Sequence, residues 1–536
     1  MIELAKRQLV FLAFILAPSA WPTNGLAQPA RQSGDAATVA ALEQTFVDVI
    51  ARAERSVVAI ARSTPAGPAA RERSAAMPPV DDLFGDLRQS VEPADATTTT
   101  AAGVIIDPAG LVLTEFLAVR AGDRHTVTTV DGAEYPATIK ATDPRSGLAV
   151  LSLARSPART PASSLQPGEN RGVASSLQRT GNGGEPTTTF PAIPLGDASQ
   201  LRKGQFAIAI GNPYAIRTDG EPTASWGIIT NLARKAPTGA NLNDVPGALG
   251  DYRTTIHHLG TLVQTDARLG WSAGGGALVN LRGELVGLTT TVGTIAGHEQ
   301  PAGYAIPLDP VVRRIVDTLR EGREVEYGLL GVTFRQRDAV AAGQTSERVV
   351  IAQVVPGSPA ARAGLQPGDV IREVAGRRAD DVDAIQLAIS TIPPSQPVSI
   401  GIERANRATT VTATLAKLSV PGPRVVTDRP PSWRGMRIDY ATAIDQQVLA
   451  ERIASGGLDQ GGSVAVTEVE PDSPAWRAGM RPGMFISHVG TERVTSPAEF
   501  QAAVETAGET WHLRLTEPVE ADGSGASTEI ELRAAE

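Results

Sequence analysis

Apolar residues at Val39, Leu42, Phe46 and Val49 recur at three- and four-residue steps, the period of a helix with one buried face. A strand is expected next, over 56–61. From Gly103 the period changes. Residues 103–114, G-V-I-I-D-P-A-G-L-V-L-T, are two apolar runs around a D-P-A-G turn and predict a hairpin. Similar short runs follow at 126–137 around Asp131-Gly132, at 143–151, 193–197, 201–213 and 226–230, through 264–290, and at 303–307. The pattern is mainly β. One long helix interrupts it, with Asp309 as N-cap, Pro310 at the first helical position, Val312, Ile315, Val316 and Leu319 on one face, and Gly322 at its end.

Two stretches break this rhythm. Residues 63–100 are rich in Ala, Pro, Thr and Arg and end in four threonines, and residues 155–190 are dense in Ser, Thr, Gly and Pro. Both predict loops looped out of the packed core. Beyond the helix, one theme occurs twice: V-V-P-G-S-P-A-A-R-A-G-L-Q-P-G-D-V-I at 354–371 and V-E-P-D-S-P-A-W-R-A-G-M-R-P-G-M-F-I at 469–486. Each copy implies a short helix ended by glycine, then a tight P-G turn into a buried strand. The Pro-rich segment 420–431 between the copies predicts a spacer.

Composition narrows the possibilities. The 536 residues allow several domains. Lys6 and Arg7, an apolar run over 9–16 and the small-residue Gly25-Leu26-Ala27 make residues 1–27 a secretory signal pattern. The alternative is a retained membrane anchor, although the run is shorter than the ~20 residues that span a bilayer. The chain holds no cysteine, which excludes thiol catalysis, disulfides and cysteine-bound metal. Its six histidines show no ligand spacing, so no cofactor is implied. Net charge is −9, and losing Glu3, Lys6 and Arg7, together +1, leaves −10. No nucleic-acid partner is expected of an acidic chain without a basic cluster.

The stretch Q-T-D-A-R-L-G-W-S-A-G-G-G-A-L opening at Gln264 resembles the nucleophile loop of the HtrA/DegP-type trypsin-like serine proteases, where T-D-A precedes G-N-S-G-G-P-L. By this resemblance the nucleophile position is Gly274. The family's L-T-x-x-H-V-V, which carries the general base, is matched by L-T-E-F-L-A-V at 113–119 and puts Leu117 at the base. Its D-L-A-V-L is matched by G-L-A-V-L at 147–151 and puts Gly147 at the orienting aspartate. The I-G-N-P turn at 210–213 also agrees. The repeats resemble the S-P-A-x-x-A-G-L-x-x-G-D-x-I signature of PDZ domains, with Met484 in place of the second copy's aspartate.

The resemblance implies a chymotrypsin-like double β-barrel followed by two PDZ domains. The expected organisation is a signal peptide at 1–27, a short leader at 28–37, a protease-like domain at 38–327 with insertions at 63–100 and 155–190, PDZ domain 1 at 328–418, a linker at 419–433 and PDZ domain 2 at 434–536. Leu117, Gly147 and Gly274 are expected to meet where the barrels meet.

A glycine cannot attack a carbonyl, a leucine cannot accept a proton, and a second glycine cannot orient a base. The expectation is a non-catalytic exported protein of the periplasm or cell envelope. It would bind peptides or unfolded segments in quality control, as chaperone or as adaptor to active HtrA-type proteases, and could form a homo-oligomer. Two alternatives stand: an active serine endopeptidase with a relocated site, for which Ser272, His125, His257 and His258 are the nearest groups, and an assembly subunit without clients. Backbone N–H groups of Ala273, Gly274 and Gly275 are candidates for an anion-binding nest like an oxyanion hole. Peptide capture by the PDZ domains is expected at Leu329, Leu330, Gly331 and Val332 with Ile385 and Ile389 on the groove helix, and at Gly435, Met436, Arg437 and Ile438.

Overall fold

The computed structural model describes residues 32–64, 98–158, 179–180, 187–211, 222–236, 255–268, 274–290, 303–337, 348–444, 448–449, 451, 459, 461–506, 508, 510–516 and 529–533. The signal segment 1–27 and most of the two expected loops lie outside these residues. The chain forms two compact units, Met1–Val47 and Asp48–Glu536. Helix α1 (Gln32–Ala53) begins in the first and runs into the second, so residues 32–37 of the expected leader are helical. Val49 is fully buried, while Val39 and Leu42 are 65% and 38% exposed.

The second unit opens with six antiparallel strands, β1 (Val57–Ser63), β2 (Thr98–Asp107), β3 (Leu111–Glu115), β4 (Arg124–Thr128), β5 (Glu134–Asp143) and β6 (Leu148–Leu153), closed into a barrel in the order β1-β2-β3-β6-β5-β4. β2 starts inside the expected loop at Thr98, because a run of β-branched threonines suits a pleated strand. The core of this barrel includes Val58, Ile60, Ile105, Val112, Val127, Tyr135 and Leu151. Phe190, from the end of the second insertion, is 2% exposed in that core with its ring 5.1 Å from Tyr135, so the insertion is anchored at its far end.

A two-residue pair, β7 (Arg179–Thr180) and β8 (Thr187–Thr188), precedes the second barrel. That barrel is built from β9 (Phe206–Gly211), β10 (Thr223–Arg234), β11 (Leu262–Thr265), β12 (Ala277–Val279), β13 (Leu285–Thr290) and β14 (Gly303–Pro307), in the order β10-β11-β14-β13-β12-β9. Helix α2 (Pro310–Glu321) follows as its punctuation implies. Asp309 caps Val312 N–H at 2.8 Å, and Gly322 ends the helix in the left-handed region at φ 86°.

Two five-strand sheets of one design complete the chain, each with a two-residue strand paired at its side. In the first the order is β16 (Val332–Arg337), β17 (Arg348–Val354), β18 (Val370–Val374), β20 (Pro397–Arg404), β21 (Arg407–Thr414), with β19 (Arg377–Arg378) on β18. The flanking pair β15 (Gly328–Leu329) and β22 (Ala416–Lys417) closes its chain ends together. In the second it is β23 (Met436–Tyr440), β24 (Val464–Val469), β25 (Phe485–Val489), β27 (Thr510–Leu515), β28 (Glu529–Arg533), with β26 (Glu492–Arg493) on β25. The repeated signature becomes the short helices α3 (Pro359–Arg362) and, in the second copy, α5 (Pro474–Arg477), capped by Ser358 and Ser473. The longer helices are α4 (Val382–Ser390) and α6 (Pro497–Thr506). Asp369 of the first copy takes two hydrogen bonds from Arg404, both 2.7 Å, and one from Gln366 N–H. Burial works against its charge, but these donors win and hold the carboxyl below its usual range. In the second copy Met484 closes the same turn through its sulfur, 3.3 Å from Arg481 N.

The segment expected as a free spacer is docked. Thr142 N–H of β5 donates to Val425 O at 3.0 Å, Val425 N–H donates back to Thr142 Oγ1 at 2.8 Å, and Ala141 bridges Val426. One residue on, Asp143 accepts the hydroxyl of Tyr327, the residue before β15. Lys417 ties the same ends together. Its ammonium, 4% exposed, reaches Glu324 at 3.0 Å, Glu326 at 3.3 Å and Asp439 of β23 at 2.7 Å. Burial pushes that ammonium's pKa down, and the three carboxylates more than reverse it.

Candidate active site and peptide grooves

β3 runs directly into a 3₁₀ turn, Phe116–Ala118, that carries Leu117. Phe116 N–H donates to Gly147 O at 2.8 Å, Ala102 N–H of β2 donates to Gly274 O at 3.0 Å, and Thr114 Oγ1 donates to Ala102 O at 2.7 Å. These bonds connect all three positions through the β2–β3 hairpin, on the side of the first barrel that meets the loop 274–276 of the second. The residues at these positions are one leucine and two glycines. Arg62, which pairs with Asp123 at 3.5 Å, holds Leu117 O at 3.0 Å.

Gly275 serves the contact between barrels, and Gly276 the packing inside the second barrel. Gly275 has φ 85°, and a Cβ there would overlap the Ala102 carbonyl oxygen and lie 2.6 Å from Thr114 Oγ1. One on Gly276 would lie 2.6 Å from Ile210 O. Only glycine allows such an approach. Gly275 must be withdrawn from the anion nest, because its N–H is donated to Thr289 O at 2.8 Å. Ala273, Trp271 and Ser272 lie outside the described residues.

Beside Gly147 lies an imidazole. A Cβ on Gly147 would be 3.6 Å from His257 Nε2. His257 is fully buried, with Nδ1 2.8 Å from Thr261 Oγ1 and Nε2 2.8 Å from Ser146 O. Burial lowers its pKa to about 4, so the ring is neutral at ordinary pH. With both nitrogens engaged it is a packing residue. His125 is 5% exposed on β4 and accepts from Arg120 N–H at 3.3 Å, and His258 pairs with Thr255 Oγ1 at 3.0 Å. The sequence spacing sets none of these beside a carboxylate. His257 became visible as a neighbour of Gly147 only through the fold, since 110 positions of chain separate them.

In the first PDZ domain β16 is an edge strand with one neighbour, the arrangement that accepts an added peptide strand. Leu329 lies on β15, Leu330 is buried, and Gly331 turns left-handed at φ 80° into Val332, the first residue of β16. Ile385 and Ile389 are 1% and 6% exposed within the domain core, so they shape the groove from beneath rather than line it openly. Helix α4 is held to the second barrel by Lys235, which pairs with Asp383 and with Asp381 at 3.5 Å.

The second loop sits two residues earlier than the sequence suggested. Gly331 O accepts from Val355 N–H and Leu330 O from Ala360 N–H; Gly435 O accepts from Glu470 N–H and Arg434 O from Ala475 N–H. A Cβ on either glycine would overlap the Cβ of the capping serine, Ser358 or Ser473. Gly435 is therefore the counterpart of Gly331, and the loop is W-R-G-M at 433–436. Met436, Arg437 and Ile438 belong to β23, and Arg437 pairs with Glu468 at 3.1 Å. This loop is shut. Trp433 and Met436 exchange both backbone hydrogen bonds, at 2.8 and 2.9 Å, across a turn whose Arg434 (φ 53°) and Gly435 (φ 83°) are left-handed, the signature of a type I′ turn. Trp433 packs edge-on at 5.4 Å from Phe500 and 5.3 Å from Trp511.

Comparison with known proteins matches these parts in order. A trypsin-like peptidase domain model covers residues 101–288, and PDZ domain models cover 328–415 and 465–516. The chain belongs to the HtrA family. Among its HtrA relatives are the probable periplasmic serine endoprotease DegP-like of Chlamydia pneumoniae, 26% identical over 77% of this chain and 72% of the relative, and the periplasmic serine endoprotease DegP of Salmonella typhimurium, 28% identical over 76% and 71%. A solved HtrA-type protease, AlgW with decapeptide, is similar over 70% of this chain and 99% of its own, with 23% identity and a TM-score of 0.47.

Proposed function

We propose that this chain is a non-catalytic HtrA-family protein of the periplasm or cell envelope. It binds peptides or unfolded segments there, as a chaperone or as an adaptor to active proteases of its family. The observation that carries the reading is the identity of the three residues at the triad-equivalent positions: Gly274 offers no oxygen, Leu117 no proton acceptor and Gly147 no carboxylate. In proteases that own a triad, losing all three members costs about a million-fold in turnover. The periplasmic location of the named relatives and the signal pattern at 1–27 support export.

Binding is assigned to the first PDZ domain. Its β16 edge offers backbone hydrogen bonds, while the turn at 433–436 has spent the Met436 N–H that corresponds to Val332 N–H in the first copy. The full chain should retain unfolded casein without cleaving it and should resist a serine-directed fluorophosphonate. A peptide with an apolar C-terminal residue should bind once per chain and lose its affinity when amidated. Casein hydrolysis abolished by Ser272→Ala would return the chain to the endopeptidases, and equal binding of amide and free acid would sink carboxylate capture.

A further inference from the structure

Strand β5 is paired on both sides for only part of its length. β4 accompanies it from Glu134 to Ala137, and β6 from Ala137 to Asp143. Beyond Ala137 the β4 side of β5 is an open edge. The ladder to β6 shifts register between Ile139 and Ala141, a bulge that re-aims the backbone of Lys140. An open edge is a template for another strand.

That edge is occupied by residues 424–428 of the same chain. Thr142 N–H donates to Val425 O, Val425 N–H to Thr142 Oγ1, and Thr427 Oγ1 to Lys140 O at 2.8 Å. Thr427 and Asp428 N–H both donate to Gly322 O, at 3.0 and 2.9 Å. Gly322 must be glycine here, since a Cβ would overlap Thr427 Oγ1. The seat is shaped for a strand. Yet its occupant buries little: Arg424, Thr427 and Asp428 are exposed, and Val425 and Val426 are half-buried. Five hydrogen bonds hold it, that from Val425 N–H half-buried and that from Thr427 Oγ1 exposed, and Arg424 adds an ion pair to Glu324 at 3.0 Å. At about 1 kcal/mol net for each hydrogen bond and less for a surface ion pair, the segment opens locally before the barrel does.

We propose that the free half of β5 is a strand-acceptor site for extended polypeptide, and that residues 424–428 are its built-in ligand, displaceable by a segment with two β-branched apolar residues followed by threonine or serine. The site depends on neither PDZ loop. Recognition comes from Lys140 O, Thr142 N–H and Oγ1, and Gly322 O, which fix the strand's register.

The test uses the full chain with Val425→Gly, Val426→Gly and Thr427→Gly, and a synthetic peptide of residues 422–430. The peptide is amidated so that no PDZ domain can take it by a carboxylate. It should bind the variant once per chain and the native chain at least tenfold more weakly, and a peptide with proline at the Val425 position should not bind. Equal affinity for native and variant chains, or no binding to a variant whose circular dichroism is unchanged, would overturn the proposal. If the variant does not fold, amide exchange in the native chain decides. Thr142 N–H should exchange at least tenfold faster than Leu151 N–H in the barrel core, and equal rates would show that the seat never opens on its own.

Discussion

Tyr327 donates its hydroxyl to Asp143, and both are buried where the chain entering the first PDZ domain lies against β5 of the first barrel. Arg145 lies over the tyrosine ring at 5.2 Å, and the carboxylate also accepts Ser146 N–H at 3.0 Å. Burial raises the pKa of both groups, so the phenol keeps its proton and donates it. Tyr327→Phe keeps the ring and removes one donor from a buried carboxylate. A loss of about 1–3 kcal/mol is expected in urea denaturation. A change within error would mean that Asp143 finds another donor.

His257 gives the fold a dependence on pH. Its imidazole has a pKa of about 4 in the folded chain against 6.5 unfolded. Above pH 6.5 both states are neutral and its contribution is complete. As pH falls from 6.5 through 4 the unfolded chain takes up a proton that the folded chain refuses, and about 3 kcal/mol is lost. Asp143, raised by burial, acts with the opposite sign. The measurement is therefore the difference between the native chain and His257→Gln across pH 7 to 4, which should narrow as pH falls; a constant difference would contradict the assignment.

Replacing Gly275 by alanine should destabilise the protein even though no chemistry is lost. The new Cβ meets the backbone of β2, and φ 85° is unfavourable to any L side chain. About 3 kcal/mol is expected from thermal or chemical unfolding. Gly122→Ala, also at positive φ but with open space around it, should cost only about 1 kcal/mol. Equal costs would show that the contact between barrels is soft.

Lys417→Met should loosen the joint between the PDZ domains. It leaves Glu324, Glu326 and Asp439 without their shared cation, and removing one partner of a buried pair costs about 3–5 kcal/mol. Glu326 is 41% exposed and water screens it, so about 2 kcal/mol is the expected loss. Adding Asp439→Asn should recover part of it. Failure to recover any would place the effect in packing instead.

The two barrels and the two PDZ folds were legible because each rests on local signals: alternating strands, D-P-A-G and P-G turns, and a helix with its cap and its stop. What escaped depends on contacts distant in sequence. Proline-rich composition gives 420–431 the look of a spacer, but Val425 and Thr427 keep N–H groups that β5 and Gly322 can use. The sequence puts the second PDZ loop two residues late, at 435–438, because nothing local sets its register against the first copy. Its true register appears only when Gly435 is seen against Ser473. Gly275 looked available for anion binding until the strand partner of its N–H, Thr289, was known. Ile385 and Ile389 were on the expected helix, yet helical spacing alone does not say which side of the groove floor they face.

Thr142 and Asp143 are neighbours, and between them they hold the segments on either side of the first PDZ domain, Val425 after it and Tyr327 before it. In terms of connectivity that domain is an excursion from one point on β5, leaving and returning at the same place. The second PDZ domain is consequently attached to the first barrel by a path that bypasses the first. Cutting out 328–416, which keeps Lys417 to bridge Glu324, Glu326 and Asp439, and joining the ends with a few residues should leave the barrels and the second PDZ domain in register with one another, as deleting a long surface loop leaves its scaffold.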